Sequence, residues 1–305
     1  MMNLIDLHDS RLLVTGGTGF IGQLLCRELC HSGAEVTVLT RNPAKARQSF
    51  ATLPVMATDM TGLAECDRFD GVVNLAGATV LSRWSAKRQR VLRDSRITFT
   101  QNLLQQLDKI GPPAVLISGS AIGFYGDTAD DTATEASACG EGFAAQLCHD
   151  WEAQALAMEA PNTRVCLLRT GIVLDHGGGA LGSMLSAFRL GLGGPIAGGQ
   201  QWMSWIHRQD LVSLIIWLLS RQDVSGPVNA VAPAPVKNAQ FASALGNVLH
   251  RPAVLPAPGW VLKLLLGQAA QELLLSSNRV APQVALEAGF NYRYRDLTAA
   301  LNASV

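Results

Sequence analysis

Eight residues near the start of the chain, Thr15-Gly16-Gly17-Thr18-Gly19-Phe20-Ile21-Gly22, restrict its fold more than anything else in the sequence. They follow a short apolar run, Leu12 to Val14, and open a segment from Phe20 to Cys30 in which Ile21, Leu24, Leu25 and Leu29 recur at helical spacing. A G-x-G-x-x-G pattern is informative in this context of strand, tight turn and helix. Each glycine has a separate reason: one permits the turn, one lets backbone amides approach a pyrophosphate with no side chain between, and one lets the helix pack close on the strand. The helix N-terminus adds unpaired N–H groups and a dipole that favours an anion. Gly16, Thr18, Gly19, Phe20, Ile21 and Gly22 are therefore read as a nucleotide cradle, the plainer alternative being a glycine-rich turn without a ligand.

The periodicity downstream repeats the unit. Glu35 to Leu39 reads as a strand after a helix end at His31, Ser32 and Gly33, followed by a helix at Pro43 to Ser49, a strand at Pro54 to Ala57 and a buried strand at Gly71 to Leu75. One long helix is predicted from Ser85 to Lys109, carrying Val91, Leu92, Ile97, Phe99, Leu103, Leu104 and Leu107, and stopped by Gly111, Pro112 and Pro113. Ala114 to Ile117 is the fifth strand, Phe143 to Met158 a helix and Arg164 to Leu168 the sixth strand. Strands alternating with helices predict an α/β chain with a doubly wound parallel sheet of Rossmann type.

Beyond Thr170 the alternation breaks. Glycine-rich loops at Gly177 to Gly179 and Gly191 to Gly199 flank a helical segment at Leu181 to Leu190 and suggest a lid or a substrate-domain insertion. A helix at Ile206 to Leu219 and a strand at Pro227 to Ala230 read as a return to the sheet, and prolines then separate helices at Ala239 to Leu249, Trp260 to Leu266 and Val284 to Ala288. The expected division is a nucleotide-binding domain over 1–170, rejoined by 206–232, and a smaller substrate or cap domain from 171–205 and 233–305.

Charge excludes some partners. The 24 basic and 24 acidic side chains cancel, which gives no electrostatic reason to expect nucleic acid or an anionic membrane. Met1 to Ser10 holds Asp6 and Asp9 without a basic segment and does not read as a signal peptide. The most apolar run, Leu211 to Leu219, is far short of the ~20 residues a membrane-spanning helix needs. The six cysteines form no C-x-x-C and lack histidines at metal-ligand spacing, so reduced thiols, no metal and a cytoplasmic location are expected.

At the end of the second strand, where a carboxylate would accept the ribose hydroxyls of NAD(H), the chain has Thr40, Arg41 and Asn42. A guanidinium at the position of a 2′-phosphate favours NADP(H) over NAD(H), the alternative being a solvated surface arginine. Asp59, after the third strand, is open to two readings: a contact with the adenine edge, or a cap or turn.

Together with Asn74-Leu75-Ala76-Gly77 and Ser118-Gly119-Ser120 leading into Phe124-Tyr125-Gly126, the fingerprint resembles that of the extended short-chain dehydrogenase/reductases. More narrowly, Leu147-Cys148-x-x-Trp151-Glu152, Arg169-Thr170-Gly171-Ile172-Val173-Leu174 and Trp205-Ile206-His207-x-x-Asp210-Leu211 resemble the atypical epimerase-like family, the NAD-dependent epimerase/dehydratases or nucleoside-diphosphate-sugar epimerase-like proteins. The resemblance implies that Leu75, Ala76 and Gly77 line the cofactor and that Ser120 polarises a substrate hydroxyl or carbonyl. It also implies a Tyr-x-x-x-Lys acid/base pair, and here the chain departs from the pattern. The pair would fall at Phe143 and Leu147 or at Ala144 and Cys148, and no lysine occurs between Lys109 and Lys237.

Ser120 and Tyr125 are thus the catalytic candidates, each with a structural alternative: a hydroxyl capping a strand end, and an aromatic packed at the mouth of the cleft. Glu135, Asp127, Cys148 and His149 are further protic groups, His207 and Asp210 open a helix, and Arg83, Arg93, Arg96 and Arg189 are open to roles on an acidic group or to solvation. Trp202 and Trp205 are open to an aromatic wall or to core packing. The expected function is an NADP(H)-dependent oxidoreductase or epimerase acting on a small molecule, such as a sugar nucleotide or another polar carbonyl compound. The alternative is a catalytically weak or inactive NADP(H)-binding sensor or scaffold.

Overall fold

The apolar run ahead of the glycine turn becomes a central strand of a parallel sheet. In a computed structural model of the chain, which describes residues 7–305, this is β1 (Arg11–Thr15). Residues 1–6, part of the Met1 to Ser10 segment discussed above, lie outside the described ones. Next come α1 (Phe20–His31), β2 (Glu35–Leu39), α2 (Pro43–Ser49), β3 (Val55–Thr58), α3 (Met60–Leu63) and β4 (Gly71–Asn74). They lead to α4 (Ala86–Arg93), α5 (Phe99–Ile110), β5 (Val115–Ala121), α6 (Phe143–Leu156) and β6 (Arg164–Thr170). Short β7 (Ile172–Leu174), α7 (Gly179–Arg189), β8 (Trp202–Met203) and β9 (Trp205–His207) precede α8 (Arg208–Ser220) and β10 (Gly226–Ala230).

The seven-stranded sheet has the order β10-β6-β5-β4-β1-β2-β3, with every neighbouring pair parallel. This is the doubly wound Rossmann-type α/β fold that the alternation predicts. Its strand order reverses at β1 and β4, so a crevice opens beyond the carboxyl ends of these two strands, where open α/β sheets hold ligands.

Successive residues of a strand face opposite sides of the sheet, and both sides here are covered. Val14, Val73, Ile117 and Leu168 meet Leu25 and Leu29 of α1 and Leu211, Leu214 and Leu218 of α8 on one face. Leu13, Val72, Leu116 and Leu167 meet Leu103, Leu104 and Leu107 of α5 on the other. A separate core joins Leu181, Leu185 and Phe188 of α7 to Trp205, to Phe241 and Leu245 of α9 (Asn238–Val248), and to Leu297 and Leu301 of the last helix. β7 pairs with β9, and β8 with the two-residue β11 (Val236–Lys237).

The helix expected from Ile206 starts at Arg208, because Ile206 lies in β9 paired with β7, and several other ends shift by one or two residues; three differences bear on the crevice. β5 runs on to Ala121 where a strand ending at Ile117 was expected, because Ser118, Gly119 and Ser120 complete the ladder with β6 although their side chains are small and polar. β6 likewise extends to Thr170, which sets Arg169 opposite Ser120. The single helix expected from Ser85 to Lys109 widens to a π turn at Asp94–Thr98 between α4 and α5. At that turn the Ser95 hydroxyl accepts from the Ala78 amide at 3.0 Å, anchoring the helix to the loop after β4.

Candidate functional site

The cradle is built by the close approach of the β1–α1 turn to the end of β4. Gly16 adopts φ +68°, and a Cβ there would lie 2.8 Å from the Leu75 carbonyl oxygen. A Cβ on Gly22 would lie 2.3 Å from the Gly16 carbonyl oxygen, so α1 packs on its own turn only because that position is glycine. The Thr15 hydroxyl donates to Asn74 Oδ1 at 2.7 Å and accepts from the Ala76 amide at 3.0 Å, while Asn74 Nδ2 donates to Thr100 of α5 at 2.9 Å. These bonds hold Leu75, Ala76 and Gly77 against the turn. Gly19 caps α1 with no side-chain hydrogen bond, and no acid stands in the first turn, which leaves the helix dipole open to an anion. Thr18 and Gly19 are exposed beside Ile21, whereas the Phe20 ring lies under the glycine loop, a Cβ on Gly178 falling 2.9 Å from it, with Arg208 stacked at 4.5 Å.

At the far end of the cradle Arg41 is exposed and makes no side-chain hydrogen bond or ion pair among the described residues. The Asp59 carboxylate accepts from the amides of Thr61 at 3.0 Å and Gly62 at 2.9 Å, capping α3. Its second oxygen is not used in that cap.

On the other side of the crevice a buried polar network joins β5, β6, α6 and β10. Ser120 Oγ donates to Glu152 Oε1 at 2.6 Å, and Arg169 holds the same carboxylate side-on, Nε to Oε1 and Nη2 to Oε2, both at 2.8 Å. Arg169 Nη1 also donates to the Tyr125 hydroxyl at 2.9 Å, and that hydroxyl donates to Asn229 Oδ1 at 2.6 Å. Glu135 accepts from the amides of Asn229, Gln283 and Val284 at 2.9, 3.2 and 3.3 Å. Burial pushes the Tyr125 phenol above its ordinary value, only partly offset by Arg169 and Asn229, so it stays protonated at neutral pH. Burial disfavours the Arg169 cation, yet Glu152 outweighs it and raises its pKa.

Residues 12–231 match the model of the NAD dependent epimerase/dehydratase family, and residues 257–304 match a domain of unknown function, DUF1731. The chain belongs to the NAD-dependent epimerase/dehydratase family. The epimerase family protein SDR39U1 homolog, chloroplastic, of Arabidopsis thaliana is 37% identical over 302 residues, covering 95% of this chain and 85% of its own. The human epimerase family protein SDR39U1 (isoform 2), crystallised with NADPH, aligns with a TM-score of 0.88 at 36% identity, over 96% of this chain and 98% of its own. A nucleoside-diphosphate sugar epimerase from Corynebacterium glutamicum aligns at 0.78 and 31% identity, over 99% of this chain and 59% of its own.

In this epimerase-family chain both positions open to the acid/base pair hold other chemistry. Phe143 packs edge-on against Trp84 at 5.0 Å, and Leu147 is buried beside them. The Ala144 amide is used by Glu272, which caps the start of α6 through Phe143 and Ala144 at 3.2 and 2.7 Å. Burial, with Glu152 adding to it, pushes the Cys148 thiol up to about 11. The remaining candidates are spread across the molecule. His207 caps α8, and Asp210 accepts from the amides of Arg293 and Tyr294 at 2.8 Å each. Asp127 accepts from Ala129 and Ser277, His149 is exposed, Arg93 pairs with Asp150 at 2.6 Å, and the Arg83 guanidinium donates to the Leu264 carbonyl. Trp205 is a core residue, whereas Trp202 is part-exposed, with Arg279 over its ring and its indole N–H on Asp130. Among the described residues no group of three or more His, Cys, Asp or Glu converges to hold a metal, and no helix is long and apolar enough to cross a membrane.

Sequence reasoning missed the roles of Glu152, Arg169, Asn229 and Glu272. For two of them a signal existed: Arg169 follows the apolar run Val165 to Leu168, and Glu152 shares a helix face with Ala145, Cys148 and Ala155, positions where a charge must find a partner.

Proposed function

We propose that the chain binds NADP(H) across the β1–α1 turn and is an oxidoreductase or epimerase-type enzyme for a small polar substrate held between the sheet and residues 171–205 and 233–305. The observation that carries this reading is the cradle, where added Cβ atoms at Gly16 and Gly22 would collide with backbone beside an uncapped helix N-terminus. The amides of Thr18 to Ile21 would hold the diphosphate, Arg41 the 2′-phosphate, Asp59 the adenine side, and Leu75, Ala76 and Gly77 the path towards the nicotinamide. Bound NADP(H) supplies the hydride. The human relative crystallised with NADPH supports the choice of dinucleotide.

Ser120 donates its hydrogen bond to Glu152 and so offers lone pairs, which suits holding a substrate hydroxyl. A bound water suits the proton transfer better than Tyr125, whose hydroxyl is committed to Asn229 and Arg169. Sugar nucleotides and other polar carbonyl compounds are the substrates to try first, as the Corynebacterium neighbour is described as a nucleoside-diphosphate sugar epimerase. Six free thiols fit a reducing compartment, and the cytoplasm is the proposed location, testable by fractionation.

The test is a titration with NADPH and NADH followed by a screen of sugar nucleotides and carbonyl compounds for turnover. Tighter NADPH binding with turnover of one class bears the proposal out. Tight binding without any turnover points to a sensor or scaffold, and binding of neither dinucleotide overturns it.

A further inference from the structure

The charges of the chain cancel overall, yet the fold gathers one sign on one face. Residues 78–93, 186–201 and 251–271 carry eight of the 24 basic side chains and none of the 24 acidic ones. Nine of the thirteen large apolar side chains that stand exposed among the described residues fall in the same three segments. Tertiary structure joins these segments. The amides of Leu255 and Ala257 donate to the carbonyl oxygens of Gly193 and Pro195 at 3.1 and 2.9 Å, and Arg251 Nε donates to Arg189 O at 3.0 Å. α10 (Gly259–Leu266) follows, and it and the residues after it are tied to α4 and the loop before it: Arg83 Nη1 donates to Leu264 O at 2.9 Å and Gln89 Nε2 to Gln268 Oε1 at 3.1 Å.

α10 reads Gly-Trp-Val-Leu-Lys-Leu-Leu-Leu and buries none of its residues. Its Trp260 is 71% exposed, and Leu190 and Val254 on the neighbouring segments are 74% and 73% exposed. Side chains this open to solvent project from the surface, whereas a groove that takes a peptide half-buries its lining. A contiguous exposed apolar patch marks an interaction surface. Around it Lys87 and Arg90 of α4 and Lys263 of α10 are exposed cations that form no ion pair among the described residues. Two physical arguments decide what covers this face. A second copy would lay the face on itself, since a two-fold interface uses the same patch on both partners, and would set cations against cations with no acid between them. A protein partner would need a separate pocket for each projecting side chain. The boundary between lipid headgroups and acyl chains instead accepts Trp and Leu without a matching shape, and anionic headgroups attract Lys and Arg.

We propose that this face docks on an anionic lipid bilayer, with Trp260, Leu264 and Leu265 entering the headgroup boundary and Lys87, Arg90 and Lys263 on the lipid phosphates. The protein then lies on the membrane and does not span it. The overall charge balance of the sequence hides such a site, because every compensating acid lies outside these three segments. The inference is independent of the dinucleotide reading. Each Lys or Arg near an anionic surface contributes about fivefold to affinity, so a few of them decide between charged and neutral lipid.

The experiment is co-sedimentation of the full chain with vesicles of phosphatidylcholine alone and of phosphatidylcholine with an equal part of phosphatidylglycerol, at low and high salt. It compares wild type with two double variants, Lys87→Glu with Arg90→Glu and Trp260→Ser with Leu265→Ser, whose four positions are all exposed. Wild type is expected to bind the anionic vesicles about tenfold or more tightly than the neutral ones and to lose that preference in high salt. Each double variant should bind the anionic vesicles about tenfold or more weakly while keeping the wild-type melting temperature. No binding of wild type to either vesicle, equal binding to both, or unchanged binding by either folded variant overturns the proposal. A wild-type dimer in sedimentation velocity without vesicles, monomeric in Trp260→Ser with Leu265→Ser, would assign the face to a second copy. Retention of wild type on immobilised polyglutamate without vesicle binding would assign it to an acidic protein, and either result equally overturns the docking. The wild-type comparison of lipids and salt decides the matter even where a variant fails to fold.

Discussion

A buried charge is the residue-scale feature that organises this molecule. Glu152 and Arg169 are 5% and 3% exposed, and each satisfies the other through two bonds of 2.8 Å. Removing one partner leaves an uncompensated charge, so Glu152→Gln is expected to cost about 3–5 kcal/mol in urea unfolding. The double change Glu152→Leu with Arg169→Met should recover most of that loss, because it removes both desolvated charges together. A double variant that loses as much stability as the sum of its two single changes would show that the pair is not coupled. Arg41 lies at the opposite extreme of exposure and, in the proposed reading, works on a ligand. Arg41→Asp is expected to weaken NADPH by about 10- to 100-fold while changing NADH far less, since only NADPH carries the 2′-phosphate. Equal loss for both dinucleotides in parallel titrations would remove that role.

At the scale of elements, the strand, turn and helix around the glycines act as one rigid piece. The contact between α1 and its own turn depends on Gly22, where a Cβ would meet the Gly16 carbonyl oxygen at 2.3 Å. Gly22→Ala forces α1 away from the turn, with an expected loss of about 1–3 kcal/mol in stability, the usual cost of overpacking. NADPH affinity should fall with it, because the amides that would face the diphosphate move with the helix. Unchanged affinity in a folded Gly22→Ala protein would mean that the cradle is not where the dinucleotide binds. This unit was legible because all its parts are contiguous: an apolar run, spaced glycines and a helical period. The ends of β5 and β6 were not, because Ser118 to Ser120 and Arg169 become strand only by pairing with each other across the sheet. The π turn at Asp94–Thr98 was equally hidden, since the periodicity of Val91 to Leu107 continues through it.

At the scale of the whole molecule, buried thiols in separate parts of the fold set an expected alkaline limit. Burial pushes Cys26 of α1 up from 9.0 to about 12, and Cys148 of α6 and Cys166 of β6 to about 11 each. Unfolding returns these thiols to water, where they ionise near 9.0. The stabilisation from keeping them neutral is complete below that pH and is lost as pH rises through the folded values. With reductant present, the melting temperature should therefore fall from pH 9 towards pH 11, and a variant with Cys148→Ala and Cys166→Ala should fall less steeply. An identical slope in that variant would place the alkaline limit in other groups.

What the sequence by itself determined is everything written in neighbouring residues: the parallel α/β class, the glycine cradle, and the arginine that stands where an acid would select NAD(H). Tertiary structure alone decided which distant groups meet. It locked Ser120 and Tyr125 to Glu152, Arg169 and Asn229, and it set Arg96 against Gly77. The physical reason is that periodicity and turn chemistry act over a few residues, whereas a buried polar group is satisfied by whatever the folded chain brings within hydrogen-bond reach, and in this sheet those partners come from strands and helices far apart in sequence.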